Sequence, residues 1–315
     1  MAETIEDLVS PHEPPDRIPI FTAGEIEGLN TTPQSFGHLA WSRFRRHKLA
    51  IIGAVGLIFI VVMFIIGPSF SPYGFDERNI ADRLQGPSFD HWFGTDEIGR
   101  DLFVRTAQGG RYSLLIGFLV AVLATFVGTI LGAIAGFFGG WIDGIISQMI
   151  NLVLIVPALI ALSVFSKNFG RDAVGLSLVL AVLLWTRIAR VVRGLVLSIK
   201  EQEFIMAARA AGASNTRIIG RHVLPNVVGA VAVEVTLLLG TAIVLESTLS
   251  FLGLGVQPPN ASLGTLVADA KGSIESDPVR VLIPGFCIVW IVLCVNFLGD
   301  GLRDALDPRS KTERG

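Results

Sequence analysis

Residues 198–226 read S-I-K-E-Q-E-F-I-M-A-A-R-A-A-G-A-S-N-T-R-I-I-G-R-H-V-L-P-N, the longest polar interval in the last two thirds of a very apolar chain. The runs on either side of it, opening at Ala173 and at Val227, are greasy enough to cross a bilayer, so the interval separates two membrane spans. Within it, Phe204, Ala207, Ala208 and Ala211 fall at i, i+3, i+4 and i+7, which predicts a short helix with a small-residue face and one aromatic at its start. Gly212 stands where a helix commonly ends in a left-handed residue, and Ser214 or Asn215 is placed to cap a second short helix. Pro225 is expected to stop that second helix, because proline lacks a backbone donor and restricts the residue before it. Such a hairpin suits docking into a groove on a partner; an amphipathic connector lying on the membrane surface fits the same pattern.

Composition agrees with a membrane protein. Of 315 residues, 51% are hydrophobic and only 17% charged, with mean hydropathy +0.61, whereas soluble domains carry about 25% charged residues. The net charge of −2 gives no sign of nucleic-acid binding. Cys287 and Cys294 lie on roughly one face of an apolar run and read as packing residues rather than a disulfide or metal pair. The chain has no Walker A pattern, no His-Glu-x-x-His and no Gly-x-Ser-x-Gly, so no catalytic or metal-binding residue is assigned and any nucleotide energy must come from another chain.

Residues 1–36 are polar and proline-bearing, without the cationic start and apolar core of a cleavable signal, and are expected to form a flexible cytoplasmic tail. Over 37–66, Arg43, Arg45, Arg46 and Lys48 precede the first span, which places the N-terminus inside. Residues 67–112 read as an external loop, rich in turn residues and with more acids than arginines; its G-T-D-E-I-G-R-D (94–101) reads as a capped entry to the next helix. A five-helix core follows over 113–300. Its first span, 113–136, carries Gly128, Gly132 and Gly136 every fourth residue, a stripe that lets helix backbones approach closely in lipid. The next, 144–163, is expected to kink at Pro157 and to pair antiparallel with its predecessor through a short connection. The span opening at Ala173 must run past Arg187 and Arg190, whose side chains snorkel to the interface. The span 227–251 holds Glu234 and Glu246. A charge at mid-membrane costs about 2.5–3.5 kcal/mol, so each must face protein or water. Glu234 lies near the cytoplasmic end; Glu246 is a candidate for the translocation path or for an intramembrane polar contact. An external loop over 253–280 contains a weak amphipathic helix through Leu263, Leu266, Val267 and Ala270, and after a last span, 281–299, residues 301–315 form a C-terminal tail. Six spans put both termini inside with the larger share of the 25 Lys and Arg residues, so the 198–226 interval is cytoplasmic.

M-A-A-R-A-A-G (206–212) followed by H-V-L-P-N (222–226) resembles the EAA loop of ABC importer permeases: Ala207, Ala208, Gly212, Leu224 and Pro225 fall on its pattern. Met206 departs from it, standing where the family usually has glutamate, with Glu203 one turn earlier. G-T-D-E-I-G-R-D from Gly94, W-T-R-I-A-R-V-V-R-G from Trp185, L-S-F-L-G-L-G-V-Q-P-P from Leu249 and G-D-G-L-R-D-A-L-D-P from Gly299 extend the resemblance, over about residues 37–309, to the C-type subunit of dipeptide and oligopeptide importers. That resemblance implies an all-α integral membrane protein with the type I ABC importer permease fold, six transmembrane helices and both termini cytoplasmic. It also implies a homologous B-type permease, two ATPase subunits or domains that bring ATP and Mg, an extracellular or lipid-anchored solute-binding protein, and residence among the lipids of a bacterial or archaeal cytoplasmic membrane. No cofactor or catalysis belongs to this chain. Residues 201–211 become the coupling helix, with Glu203, Phe204, Ala207, Ala208, Arg209, Gly212, Leu224 and Pro225 as the coupling residues. Short peptides are the implied cargo; nickel chelates, oligosaccharides and glutathione are carried by close relatives. An ion-coupled secondary transporter using Glu246 is the rival, and it lacks the inverted repeat and paired broken helices such proteins show.

Overall fold

Apolar runs of this length have one way to satisfy their backbone in a bilayer, and that is to coil. In this computed structural model the described residues, 36–169 and 172–306, form helices and turns. These are α1 (Phe36–Arg46), α2 (Lys48–Ile66), α3 (Leu102–Phe138), α4 (Gly140–Ile155), α5 (Ala158–Phe169), α6 (Ala173–Ile199), α7 (Glu203–Ala210), α8 (Asn215–Ile218), α9 (Leu224–Phe251), α10 (Leu263–Ala270) and α11 (Val279–Leu306). Described residues from Ala40 onward belong to one packed unit; Phe36–Leu39 belong to a separate N-terminal one. The tail expected over 1–36 lies, Phe36 aside, outside the described residues.

Five helical stretches are long and apolar enough to cross a membrane, and α4 with α5 makes a sixth if the bent pair is one span. The break between α4 and α5 is sharper than the expected kink, with the helices meeting at 89°. Its cause is local: the residue before a proline is driven out of the helical region, and Val156 before Pro157 is extended at φ −77°, ψ 126°.

Two expected boundaries move. The external loop expected over 67–112 ends at Asp101, whose carboxylate accepts the Val104 amide at 2.9 Å and so caps α3 eleven residues before Ser113. Arginines gave that stretch its loop-like reading, yet Arg111 has hydrogen-bond partners here. Arg111 donates to the carbonyls of Phe64 and Ile65, both at 2.6 Å, which are among the unpaired carbonyls at the C-terminal end of α2. At the other end of the chain α11 continues to Leu306, into the tail expected over 301–315, and the residues beyond lie outside those described.

Pro225 does not stop a helix. The chain runs without a break from α8 through a wide, π-helical turn, Ile219–Val223, into α9, where Pro225 occupies the first turn. The Leu224 amide reaches back to the Ile219 carbonyl, five residues away, and a proline in a first helical turn gives up an amide that needs no intrahelical partner.

The glycine stripe sits where α3 crosses α6. A Cβ at Gly128, Gly132 or Gly136 would stand 2.6, 2.5 or 2.8 Å from the carbonyl oxygens of Trp185, Ala189 and Arg193, themselves one turn apart. The two backbones are in direct contact along three turns, which residues with side chains would forbid. Cys287 and Cys294 are buried free thiols on α11. The short helix α10 folds back into the helical body: a Cβ on Gly264 would meet the Ser247 Cα at 2.5 Å, and one on Gly109 would meet the Ser262 carbonyl carbon at 3.0 Å.

Candidate functional site

The hairpin between α6 and α9 is built on one anchor. Ile205 is the buried residue of α7, and it belongs to the buried cluster that also holds Phe137 of α3, Ile146 of α4, Ile218 of α8 and Val223 of the turn after it. Ala208, one turn on, is half-buried against the same cluster, as is Leu224. Glu203, Phe204, Met206, Ala207, Arg209 and Ala211 are exposed, as is Pro225. The small-residue face expected from Phe204, Ala207, Ala208 and Ala211 is therefore divided: Ala208 turns to the protein body and the other three face out. Ile205 was missed in the sequence because its partners come from three other elements; the signal available was a large aliphatic side chain three residues before Ala208.

The ends of α7 follow from its sequence. Glu203 lies in the first turn and Arg209 in the last, each favourable to the helix dipole. The Ala213 amide donates to the Ala208 carbonyl at 3.0 Å and the Gly212 amide to Arg209 at 2.9 Å, the paired bonds of a Schellman ending. Gly212 makes this possible at φ +80°, and no atom lies within 4 Å of where its Cβ would be, so the need for glycine is purely conformational. The next turn starts at Ser214, which accepts the Arg217 amide at 3.4 Å. The Arg209 guanidinium lies 5.4 Å from the centroid of Phe137, and the Phe204 and His222 rings stand 6.4 Å apart. The structure thus presents a braced helical turn whose outer face carries Glu203, Phe204, Met206 and Ala207. Met206, the departure from the EAA pattern, is on that open face.

The two intramembrane glutamates have different fates. Glu234 pairs with Arg187 at 3.0 Å, so this arginine reaches across to a neighbouring helix. Glu246 is wholly enclosed within the chain, 0% exposed. Ser250 donates to its Oε1 at 2.7 Å, and Ser113 and Ser247 donate to Oε2 at 2.9 and 3.4 Å. Two relays lead outward from there to the start of α10. Ser262, the N-cap of α10, donates to the Ser250 hydroxyl at 3.1 Å, and the Leu263 amide donates to the Ser113 hydroxyl at 3.1 Å. The carboxylate therefore faces hydroxyl donors and the positive end of a helix. Glu246 thus makes its polar contacts inside this chain. Serines 113, 250 and 262 were not singled out in the sequence; Ser250 stands one turn from Glu246 and was within reach of a helical-spacing argument, whereas nothing local relates Ser113 or Ser262 to it. Among the described residues no group of three or more His, Cys, Asp or Glu is placed to hold a metal ion.

Comparison with known proteins identifies the family. Residues 128–312 match the family model described as binding-protein-dependent transport system inner membrane component, and residues 35–87 match the N-terminal TM domain of oligopeptide transport permease C. The chain is 39% identical over 287 residues to the oligopeptide transport system permease protein OppC of Bacillus subtilis, covering 91% of this chain and 94% of that protein. It is 41% identical over 273 residues to the dipeptide transport system permease protein DppC of Alkalihalophilus pseudofirmus, covering 87% and 90%. OppC of Escherichia coli K12 is 40% identical over 287 residues, covering 90% and 95%. Among solved structures, a chain of the MetNI methionine ABC transporter superposes with TM-score 0.53 at 22% identity, covering 64% of this chain and 96% of that one.

Proposed function

The chain belongs to the family of binding-protein-dependent transport system inner membrane components, and from that premise we propose that it is the C-type permease of an ATP-driven importer of short peptides. Its relatives at about 40% identity are oligopeptide and dipeptide permeases over nearly their whole length, which favours peptides over nickel chelates, oligosaccharides or glutathione. In this reading a homologous B-type permease completes the translocation path, two ATPase subunits supply ATP and Mg chemistry from the cytoplasm, and a solute-binding protein delivers cargo outside a bacterial cytoplasmic membrane. The observation that carries it is α7: a helix anchored from behind by Ile205, stopped rigidly at Gly212, and bare on the face holding Glu203, Phe204 and Ala207. A helix can transmit motion only if it is held on both sides, and here one side is held and the other is free for an ATPase groove. The wide turn Ile219–Val223 then joins the hairpin directly to α9, which ends beside the Glu246 cage.

The test is reconstitution in proteoliposomes with the partner permease, ATPases and binding protein. ATP-dependent uptake of a labelled short peptide is expected, along with a disulfide cross-link from Ala207→Cys to a cysteine in the ATPase groove. Uptake that runs on an ion gradient without nucleotide refutes the proposal.

A further inference from the structure

The carboxyl of Glu246 joins three helices, and the joint is polar where apolar packing would cost less. On α9 itself Ser247 and Ser250 donate to it, and Ser113 donates from α3. Both relays beyond these serines end on the first residues of α10. The Ser262 hydroxyl donates to Ser250 at 3.1 Å and accepts the Thr265 amide at 3.3 Å, so one hydroxyl both closes the relay and caps α10. The Leu263 amide, which a helix leaves without an internal partner, donates to Ser113 at 3.1 Å. Gly264 lies so close that a Cβ there would come within 2.5 Å of the Ser247 Cα. Beside them the Tyr112 hydroxyl of α3 donates to Asn260 at 2.8 Å. Each bond in such a network has a direction, so together they fix one register of α10 against α3 and α9, which apolar contact alone does not.

The helix that carries Glu246 is also the one that leaves the hairpin. Asn215–Phe251 is one helical run of 37 residues, from α8 through the wide turn to the end of α9. At 1.5 Å per residue such a run is about 55 Å long, enough to cross a bilayer from end to end. Its covalent link to α10, residues 252–262, holds no helix and turns at Gly253 with φ +79°. A loop bends more readily than a helix, so the stiff connection from α9 to α10 runs through the Glu246 bonds.

We propose that Glu246 is a positioning residue that pins α10 to α3 and to the end of α9 farthest from the hairpin, so that a displacement of the hairpin arrives at α10 as movement of that helix. The inference rests on the importer reading, in which ATPases displace the hairpin. Two points separate a pin from a residue that only fills space. The side chain bonds to donors on two helices and reaches the third through both relays. Those relays converge on the first turn of α10, the part of that short helix that sets where the rest of it points.

The experiment uses the complete transporter in lipid nanodiscs and takes two readings. Hydrogen exchange of the Leu266 amide, bonded to the Ser262 carbonyl at 3.1 Å, reports how firmly α10 is anchored. Glu246→Leu is expected to speed it about tenfold or more, the scale of a lost buried acceptor, while the amides of α6 keep their protection. Glu246→Gln keeps a carbonyl oxygen and should stay within about threefold of wild type. Spin labels on Thr216→Cys in α8 and on Lys271→Cys at the end of α10, both exposed positions, report displacement on ATP binding. Each is placed in a separate sample and measured against a fixed label on the partner permease. With Glu246 intact both labels should shift. In Glu246→Leu the Thr216 label should still shift while the Lys271 label loses most of its shift, and Glu246→Gln should restore it. If Glu246→Leu fails to assemble, Ser250→Ala, which removes the relay to Ser262, carries the test by the same two readings. A full Lys271 shift in the variant, unchanged Leu266 exchange, or a Lys271 label that stays still with Glu246 intact while Thr216 moves overturns the proposal. So does an equal loss at both labels, which would make Glu246 a matter of general stability. Absence of any Thr216 shift with Glu246 intact would instead count against the importer reading, a result distinct from these.

Discussion

Replacing Gly212 with valine isolates a single physical effect. The backbone there has φ +80°, and no atom lies within 4 Å of the added Cβ, so nothing in the surroundings has to move. What remains is the left-handed conformation itself, which costs an L-residue about 1–2 kcal/mol, most for a branched one. That cost matters because α7 is weakly held. Its anchor is one buried Ile205, worth about 1.5–3 kcal/mol, together with half-buried Ala208 and the two Schellman bonds. Strain of this size should raise the population of an undocked α7 by roughly 5–30-fold. Hydrogen exchange reads this directly: the amides of Ala211, Gly212 and Ala213, bonded to carbonyls at 3.0, 2.9 and 3.0 Å, should exchange faster by that factor, while α3 and α6 keep their protection. Gly212→Asn should show a smaller rise, since asparagine tolerates this region. In the reconstituted transporter, Gly212→Val should insert normally yet lose coupled ATP hydrolysis and uptake. Unchanged exchange at Ala213 in the valine variant would refute the reasoning, because the ending would then not depend on a left-handed residue.

Other substitutions test the remaining features. Ile205→Ala removes the anchor of α7, and at about 2–5 kcal/mol it should free the hairpin to proteolysis between 200 and 214 while the transmembrane body stays protected. Glu246→Leu strands the Ser113 and Ser250 hydroxyls without their acceptor, about 1–3 kcal/mol for each, so the thermal midpoint in detergent and uptake should both fall. Glu246→Gln keeps an acceptor for Ser250 and should cost about 1 kcal/mol with assembly intact; equal midpoints for Leu and Gln would show that the cage does not depend on the acceptor. Gly132→Leu drives a side chain into the Ala189 backbone, 2.5 Å from the Cβ position, and should lower the yield of monodisperse protein with a penalty of about 1–3 kcal/mol or more; Gly144→Leu, which meets nothing within 4 Å, is the control.

What was legible in the sequence was what composition and short-range spacing determine. Apolar runs near 20 residues mark spans because a bilayer sets that length, and the stripe at Gly128, Gly132 and Gly136 could be read because helical period alone aligns it. Gly212 was legible for a similar reason, since only the residue itself decides whether φ can be positive. Features fixed by distant partners were not. The start of α3 was placed too late because Arg105 and Arg111 look like loop residues until Asp269, Phe64 and Ile65 stand beside them. The cost of a buried charge required that Glu246 have polar company, and Ser250 one turn on was legible, yet the rest could not follow: Ser113 is 133 positions away and the Leu263 amide belongs to a different helix. Pro225 is the sharpest case. A proline forbids one hydrogen bond, and whether that ends a helix depends on whether the bond was needed. The wide turn at Ile219–Val223 resets the pairing just before it, so Pro225 falls where a helix gives up its first amides anyway, and a residue expected to separate the hairpin from its span instead lets the two run as one rod.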